Sequence, residues 1–185
     1  KIFPDRYMAI RASVELKQGN VLNCNWGDDL NVVIIEFLSK KKLLVLPNNR
    51  ATELLQVPNY LVIGSILTFY PLRNATVWGS GIINDKDVGN IQDIPRKICA
   101  VRGPKTRKLL LELGIDCPEV YGDPALLMPM FYKVNRTVKY KLGIIPHMKD
   151  LNAPTFKTLL EHKGVKYIKV HDYERWQDFI DDINS

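Results

Sequence analysis

The residues best suited to chemistry stand where apolar runs stop. In "VRGPKTRKLL" (101–110), Arg102 leaves an apolar run and Gly103 follows it. Pro104 then suits the first turn of a helix. The unpaired amides of Lys105 and Thr106 would point away from that helix start. A guanidinium beside such amides makes a seat for phosphate or carboxylate. Lys105 places a cation where the helix dipole disfavours one, a cost that a bound anion offsets. The competing reading is a surface turn with an ordinary arginine ion pair.

Other segments offer proton chemistry. "GIIPHMKD" (143–150) sets His147 just after an apolar run, where an imidazole can act as acid or base near neutral pH. A single loop histidine is more often simply hydrogen-bonded, and His162 and His171 lack even this setting. "YGDPALLMP" (121–129) places Asp123 where an Asx turn with its own backbone is the ordinary role. The same carboxylate could also orient a base or hold a sugar hydroxyl. Gly64-Ser65 and Gly79-Ser80-Gly81 fit tight turns after strands. They lack the spacing of a dinucleotide fingerprint or a phosphate-binding loop, and no serine-hydrolase elbow is present. In "NCNWGDDLN" (23–31), Asn25 and Gly27 shape a turn, and Asp28 or Asp29 can cap the helix that follows.

These segments need strands and helices to hold them. Apolar residues at 30, 33, 34, 37 and 38 make a helical face, although the β-branched run Val32–Ile35 would also suit a strand. The runs "YLVIGS" (60–65), "ATVWGSG" (75–81) and "KICAVRG" (97–103) read as strands buried on both faces of a parallel sheet. A helix from Pro104 to Gly114 would bury Leu109, Leu110 and Leu113, and a short strand and a loop would follow it. Beyond lie a strand at 139–146, a helix at 153–164, a strand at 165–170 and a helix at 173–183 with Trp176, Phe179 and Ile180 on one face. Two strands are too few for a sheet with its own core. The expected organisation is a Rossmann-like domain over residues 1–128, a linker or crossing at 129–138 and a partial second domain at 139–185.

Composition narrows the partners. The chain has 185 residues, 46% of them hydrophobic and 25% charged, which is globular rather than disordered. No apolar run is long enough to span a membrane. The start does not read as a secretory signal. Cys24, Cys99 and Cys117 are too scattered for a disulfide framework or a zinc site, so reduced thiols in a cytosolic protein are expected. A net charge of +6 suits anionic partners. Its densest run, Lys40–Lys42, falls where a first helix should end. Without an RNA motif or a Cys/His finger, an anionic small molecule fits better than nucleic acid.

Taken in order, "NWGDDLN", "IGSIL", "WGSG", "AVRGPKTRKLL", "YGDPALLMP" and "LGIIPH" resemble the polysaccharide pyruvyl transferase family. The first two forms are most similar to the succinoglycan-type ketal pyruvate transferases of bacterial exopolysaccharide synthesis. The resemblance implies two Rossmann-like domains in a glycosyltransferase-B-like arrangement with the active site in the cleft. It implies transfer of pyruvate from phosphoenolpyruvate to a sugar or lipid-linked oligosaccharide, forming a ketal and releasing phosphate, with no metal or nicotinamide. On that reading Arg102, with Gly103 and Lys105, holds the donor, and His147 handles protons. Asn25, Gly27, Asp28, Gly64, Ser65, Gly79, Ser80 and Asp123 then line the substrates. The location implied is the cytoplasm, compatible with peripheral contact at the inner face of the membrane. The family's later Ser-Leu-His-Gly segment is not among these residues, so the chain is expected to be truncated and incomplete as a catalyst. A nucleotide-sugar-dependent glycosyltransferase and a non-catalytic anion- or glycan-binding fragment stay open as alternatives.

Overall fold

A computed structural model describes residues 7–12, 15–17, 20–22, 25–48, 56–134, 136–147, 150, 153–170, 173 and 175–185. In chain order the elements are β1 (Tyr7–Arg11), β2 (Glu15–Lys17), β3 (Asn20–Leu22), α1 (Trp26–Ser39), β4 (Lys42–Val45), β5 (Asn59–Leu61), β6 (Ala75–Trp78), β7 (Lys97–Ala100), α2 (Pro104–Glu112), β8 (Leu142–Ile144), α3 (Pro154–Leu160), β9 (Val165–Tyr167) and α4 (Trp176–Ile183). Short 3-10 turns cover Asp85–Asn90 and Pro124–Met130. The chain divides into two units, Lys1–Val14 with Gly27–Met128, and Glu15–Trp26 with Pro129–Ser185.

The first unit is built on a five-stranded sheet in the order β4-β1-β5-β6-β7, with every neighbouring pair parallel. This is the α/β, Rossmann-like class that the apolar runs led us to expect. The strand order reverses between β1 and β5, and doubly wound sheets bind ligands at the carboxyl ends beside such a switch. β1 and β4 were not anticipated from the sequence, because Tyr7–Arg11 and Lys42–Val45 mix charged with apolar residues. Leu61, Val77, Val101 and Leu110 are completely buried at the centre of the core. Burial of each such side chain contributes about 1.5–3 kcal/mol.

Trp26–Ser39 is helical despite its β-branched run, but its buried stripe differs from the expected one. Leu30, Asn31, Ile34 and Ile35 are buried, whereas Phe37 and Leu38 are exposed. Asn31 turns the helix, because its side chain binds the backbone of Ile63 at the end of β5. The lysine run lies past the helix: α1 stops at Ser39, Lys40 has a positive φ and Lys42 opens β4. In α2, Leu110 is buried but Leu113 is exposed, since the helix ends at Glu112. Thr106 takes the inward position one turn before Leu110. The strand expected near Tyr121 is a single parallel bridge to Val101, and the loop after it winds into the 3-10 turn.

In the second unit, β8 and β9 pair in parallel with α3 between them, and β2 and β3 form an antiparallel hairpin. Aromatic side chains supply its packing. Trp26 lies 4.5 Å from Phe179 between ring centroids, and Tyr173 meets the same ring edge-on at 5.2 Å. Trp26 also donates from Nε1 to Trp176 O at 2.7 Å, and from its backbone to Val170 O at 2.7 Å. Arg175 and Asp178 cap α4 reciprocally.

Candidate anion site at the carboxyl ends of the sheet

Three successive strand ends of the first unit are tied together. At the end of β5, Gly64 takes a φ of +110°, a region that favours glycine. Its carbonyl accepts from Ser80 Oγ at 2.9 Å and from the Gly81 amide at 3.0 Å. Ser80 is fully buried, so its hydroxyl binds structure rather than substrate. At the end of β6, Gly79 has a φ of +88°, and a Cβ there would lie 2.3 Å from Pro124 Cδ and 2.8 Å from Gly122 O. At Gly81 a Cβ would lie 2.9 Å from Arg102 Cβ and 3.3 Å from Ser65 Oγ. Glycine is needed at both places because neighbouring loops close on the backbone.

Arg102 leaves β7 inside this frame. Its amide donates to Ser80 O at 3.1 Å, and its Nε donates to Gly79 O at 3.2 Å. Nη2 lies 2.9 Å from Asp123 Oδ2, an ion pair whose alignment falls outside that of a hydrogen bond. Asp123 Oδ1 accepts from the Ala125 amide at 2.9 Å. One oxygen of Asp123 therefore makes the expected Asx turn, and the other orients the Arg102 guanidinium. About a third of the Arg102 side chain stays exposed.

α2 starts directly after Arg102. Gly103 is its N-cap, with a φ of −175° and no atom within 4 Å of where a Cβ would sit. Among the described residues nothing crowds Gly103. What remains is open space before the amides of the first turn. Lys105 does not face the strand ends: its Nζ pairs with Asp85 at 3.0 Å on the exposed side. Arg107 donates from Nε to Cys117 O at 3.0 Å. Thr106 Oγ1 accepts from the Ile82 amide at 3.4 Å.

The acids of the first turn of α1 complete the cluster. A Cβ on Gly64 would stand 3.4 Å from Asp28 Oδ1, which places that carboxylate over the end of β5. Burial raises the Asp28 pKa, the Arg102 charge opposes the rise and Asp123 adds to it. Burial, and then the neighbouring Asp28 charge, push Asp29 up to about 6. One oxygen of Asp29 is buried with no hydrogen-bond partner.

The turn is fixed by Asn31, for which the sequence supplied no role. Asn31 is completely buried; its Oδ1 accepts from the Ile63 amide at 2.9 Å, and its Nδ2 donates to Ile63 O at 3.2 Å and Asp28 O at 2.9 Å. The one clue in the sequence is a polar residue inside an apolar stripe. The first unit thus gathers Asp28, Gly64, Ser65, Gly79, Ser80, Arg102, Gly103 and Asp123 at one end of its sheet, with Gly27 opening the helix turn. Asn25 and His147 belong to the second unit and are exposed, and the His147 carbonyl accepts from the Asp150 amide at 2.8 Å. His171 and Cys24 lie outside the described residues.

Among the described residues, no group of three or more His, Cys, Asp or Glu is placed to hold a metal. No described helix is long and apolar enough to cross a membrane. The family model for polysaccharide pyruvyl transferases matches residues 25–185. No curated protein and no solved structure matches the chain. The family match runs over the acid turn, the three glycine turns, Arg102 and Asp123, and over most of the chain: this protein belongs to the polysaccharide pyruvyl transferase family.

Proposed function

We propose that this protein moves pyruvate from phosphoenolpyruvate onto a sugar of an exopolysaccharide or other cell-surface glycan, closing a ketal across two hydroxyls and releasing phosphate. The observation that carries the donor assignment is the setting of Arg102. Its guanidinium is oriented by Gly79 O and Asp123, and the residue directly precedes Gly103, the N-cap of α2. Phosphoenolpyruvate has two anionic groups, a phosphate and a carboxylate. A partly exposed guanidinium and free helix amides suit one of them. Charge that builds on the departing phosphate is stabilised by the same fixed donors. The reaction written this way calls for no metal and no nicotinamide. The acceptor on this reading is a sugar or a lipid-linked oligosaccharide, met at the cytoplasmic face of the membrane.

The test pairs binding with turnover in the full-length protein. Phosphoenolpyruvate is expected to raise the melting temperature, since a ligand that binds only the folded state stabilises it. Arg102→Ala is expected to remove that shift and to lower phosphate release by about 10²–10³-fold, as loss of a key transition-state donor does. A melting shift with nucleotide sugars and none with phosphoenolpyruvate would identify a glycosyltransferase instead.

A further inference from the structure

We propose that Asp28 is the base that takes the proton from the acceptor hydroxyl, an assignment that rests on the pyruvyl-transfer reading. Asp123 and Asp28 interact with the Arg102 charge and Asp29 stands beside Asp28, and the three carboxylates are not equivalent. Asp123 is engaged through both oxygens, with the Ala125 amide and Arg102. Asp29 has one oxygen buried away from solvent. The Asp28 carboxylate makes no hydrogen bond or ion pair among the described residues, and it lies over Gly64 at the carboxyl end of the sheet.

Its position is fixed from behind. Asn31 clamps the Asp28 carbonyl and both backbone groups of Ile63 with one buried amide, so the first turn of α1 cannot shift past the end of β5 without breaking the two hydrogen bonds to Ile63. Ser65 and Gly81 then link the Gly64 turn to Arg102, with a Cβ at Gly81 meeting both Ser65 and Arg102. Base and guanidinium therefore stand at the ends of β5 and β7, with β6 between them. A carboxylate repels a phosphate, so the group it faces is a hydroxyl rather than the donor. The charged groups around Asp28 are Asp29 beside it, Arg102 and Asp123. Partial burial and Asp123 strengthen its hold on a proton, as a base requires, and the Arg102 charge opposes that rise.

The step balances as follows. The sugar oxygen bonds to the central carbon of the enol as its proton passes to Asp28. The π-bond pair takes a proton from solvent at the methylene, which becomes the methyl. Asp28 returns its first proton to solvent. As the bond from that carbon to the phosphate oxygen breaks and phosphate leaves with the electron pair, a second hydroxyl forms the second carbon–oxygen bond and gives its proton to Asp28.

The experiment measures phosphate release from phosphoenolpyruvate by the full-length protein with a panel of methyl hexosides, which carry vicinal and 4,6-diols. Asp28→Asn is expected to lower kcat by about 10²–10⁴-fold. The melting shift given by phosphoenolpyruvate should stay at the wild-type value. The loss of rate that wild type shows toward acid pH, as its base is protonated, should disappear. Asp28→Glu, which keeps a carboxylate, should recover at least about tenfold over Asn. Activity of Asp28→Asn within about tenfold of wild type overturns the assignment, and so does loss of the melting shift, which would mark a donor-binding or folding role. If Asp28→Asn does not fold, Asp28→Glu decides alone: a kcat profile without the acid limb overturns the assignment. A wild type that releases no phosphate with any hexoside overturns the pyruvyl-transfer reading itself.

Discussion

Asp28 and Asp29 share one helical turn and meet different surroundings. Asp29 has an oxygen buried without a partner, and its pKa is pushed up to about 6 from 3.8 by burial and by Asp28. Between about pH 4 and 6 the folded protein holds a proton that the unfolded chain has released, so stability falls as pH rises through that window and then levels off. One pKa unit corresponds to about 1.4 kcal/mol, and partial exposure reduces what is realised to on the order of 1 kcal/mol. Asp29→Asn should therefore leave stability near pH 4 almost unchanged and increase it at pH 7.5. Urea unfolding at both pH values checks this, and an equal effect at both would mean that Asp29 does not titrate in this way. In the sequence either acid suits the helix cap, and only Asp28 is expected at the substrates. Their depth in the structure separates them.

At the scale of elements, the site depends on how closely loops approach strand ends. The turn after β6 packs under Gly122 and Pro124, and this contact carries Asp123 to Arg102. Gly79→Ala combines a positive φ with overpacking and should cost about 2–4 kcal/mol. Gly103→Ala, in extended backbone facing open space, should change stability by less than about 0.5 kcal/mol. Chemical denaturation of the two variants compares them directly, and similar losses would refute the packing account. In the sequence Gly103 belongs to the more informative motif and Gly79 to a weaker turn signal, yet the fold makes Gly79 the sterically constrained one. The positions of β5, β6 and β7 were legible because their apolar runs are continuous. β1 and β4 were not, because a sheet neighbour, and not their own pattern, makes them strands. The face of α1 was misread for a similar reason: Asn31 is polar in isolation and turns inward only because Ile63 presents a matching amide and carbonyl.

At the scale of the whole molecule, Trp26 explains why the acid turn carries an aromatic residue. Its ring and indole N–H belong to the second unit, where they meet Phe179 and Trp176, while the rest of α1 belongs to the first. Truncating a fully buried aromatic residue costs about 3–5 kcal/mol. Trp26 is only partly buried, so Trp26→Ala should cost the second unit about 2–3 kcal/mol. Hydrogen exchange should show faster exchange in β9 and α4, with β5, β6 and β7 still protected. Loss of protection in β5–β7 to the same degree would show that Trp26 supports the first unit instead.

The order of the motifs, the strand-turn-helix rhythm of the central sheet and the membership in the pyruvyl transferase family were all legible in the linear chain. These rest on local periodicity and on residue types at fixed spacing, which need no folding to be seen. Tertiary structure alone settled which side chains meet. It turned Lys105 toward Asp85, joined Asp123 to Arg102, buried Ser80 and set Asp28 over Gly64. Such pairings join residues far apart in sequence, and the packing that selects them exists only once the strands lie side by side.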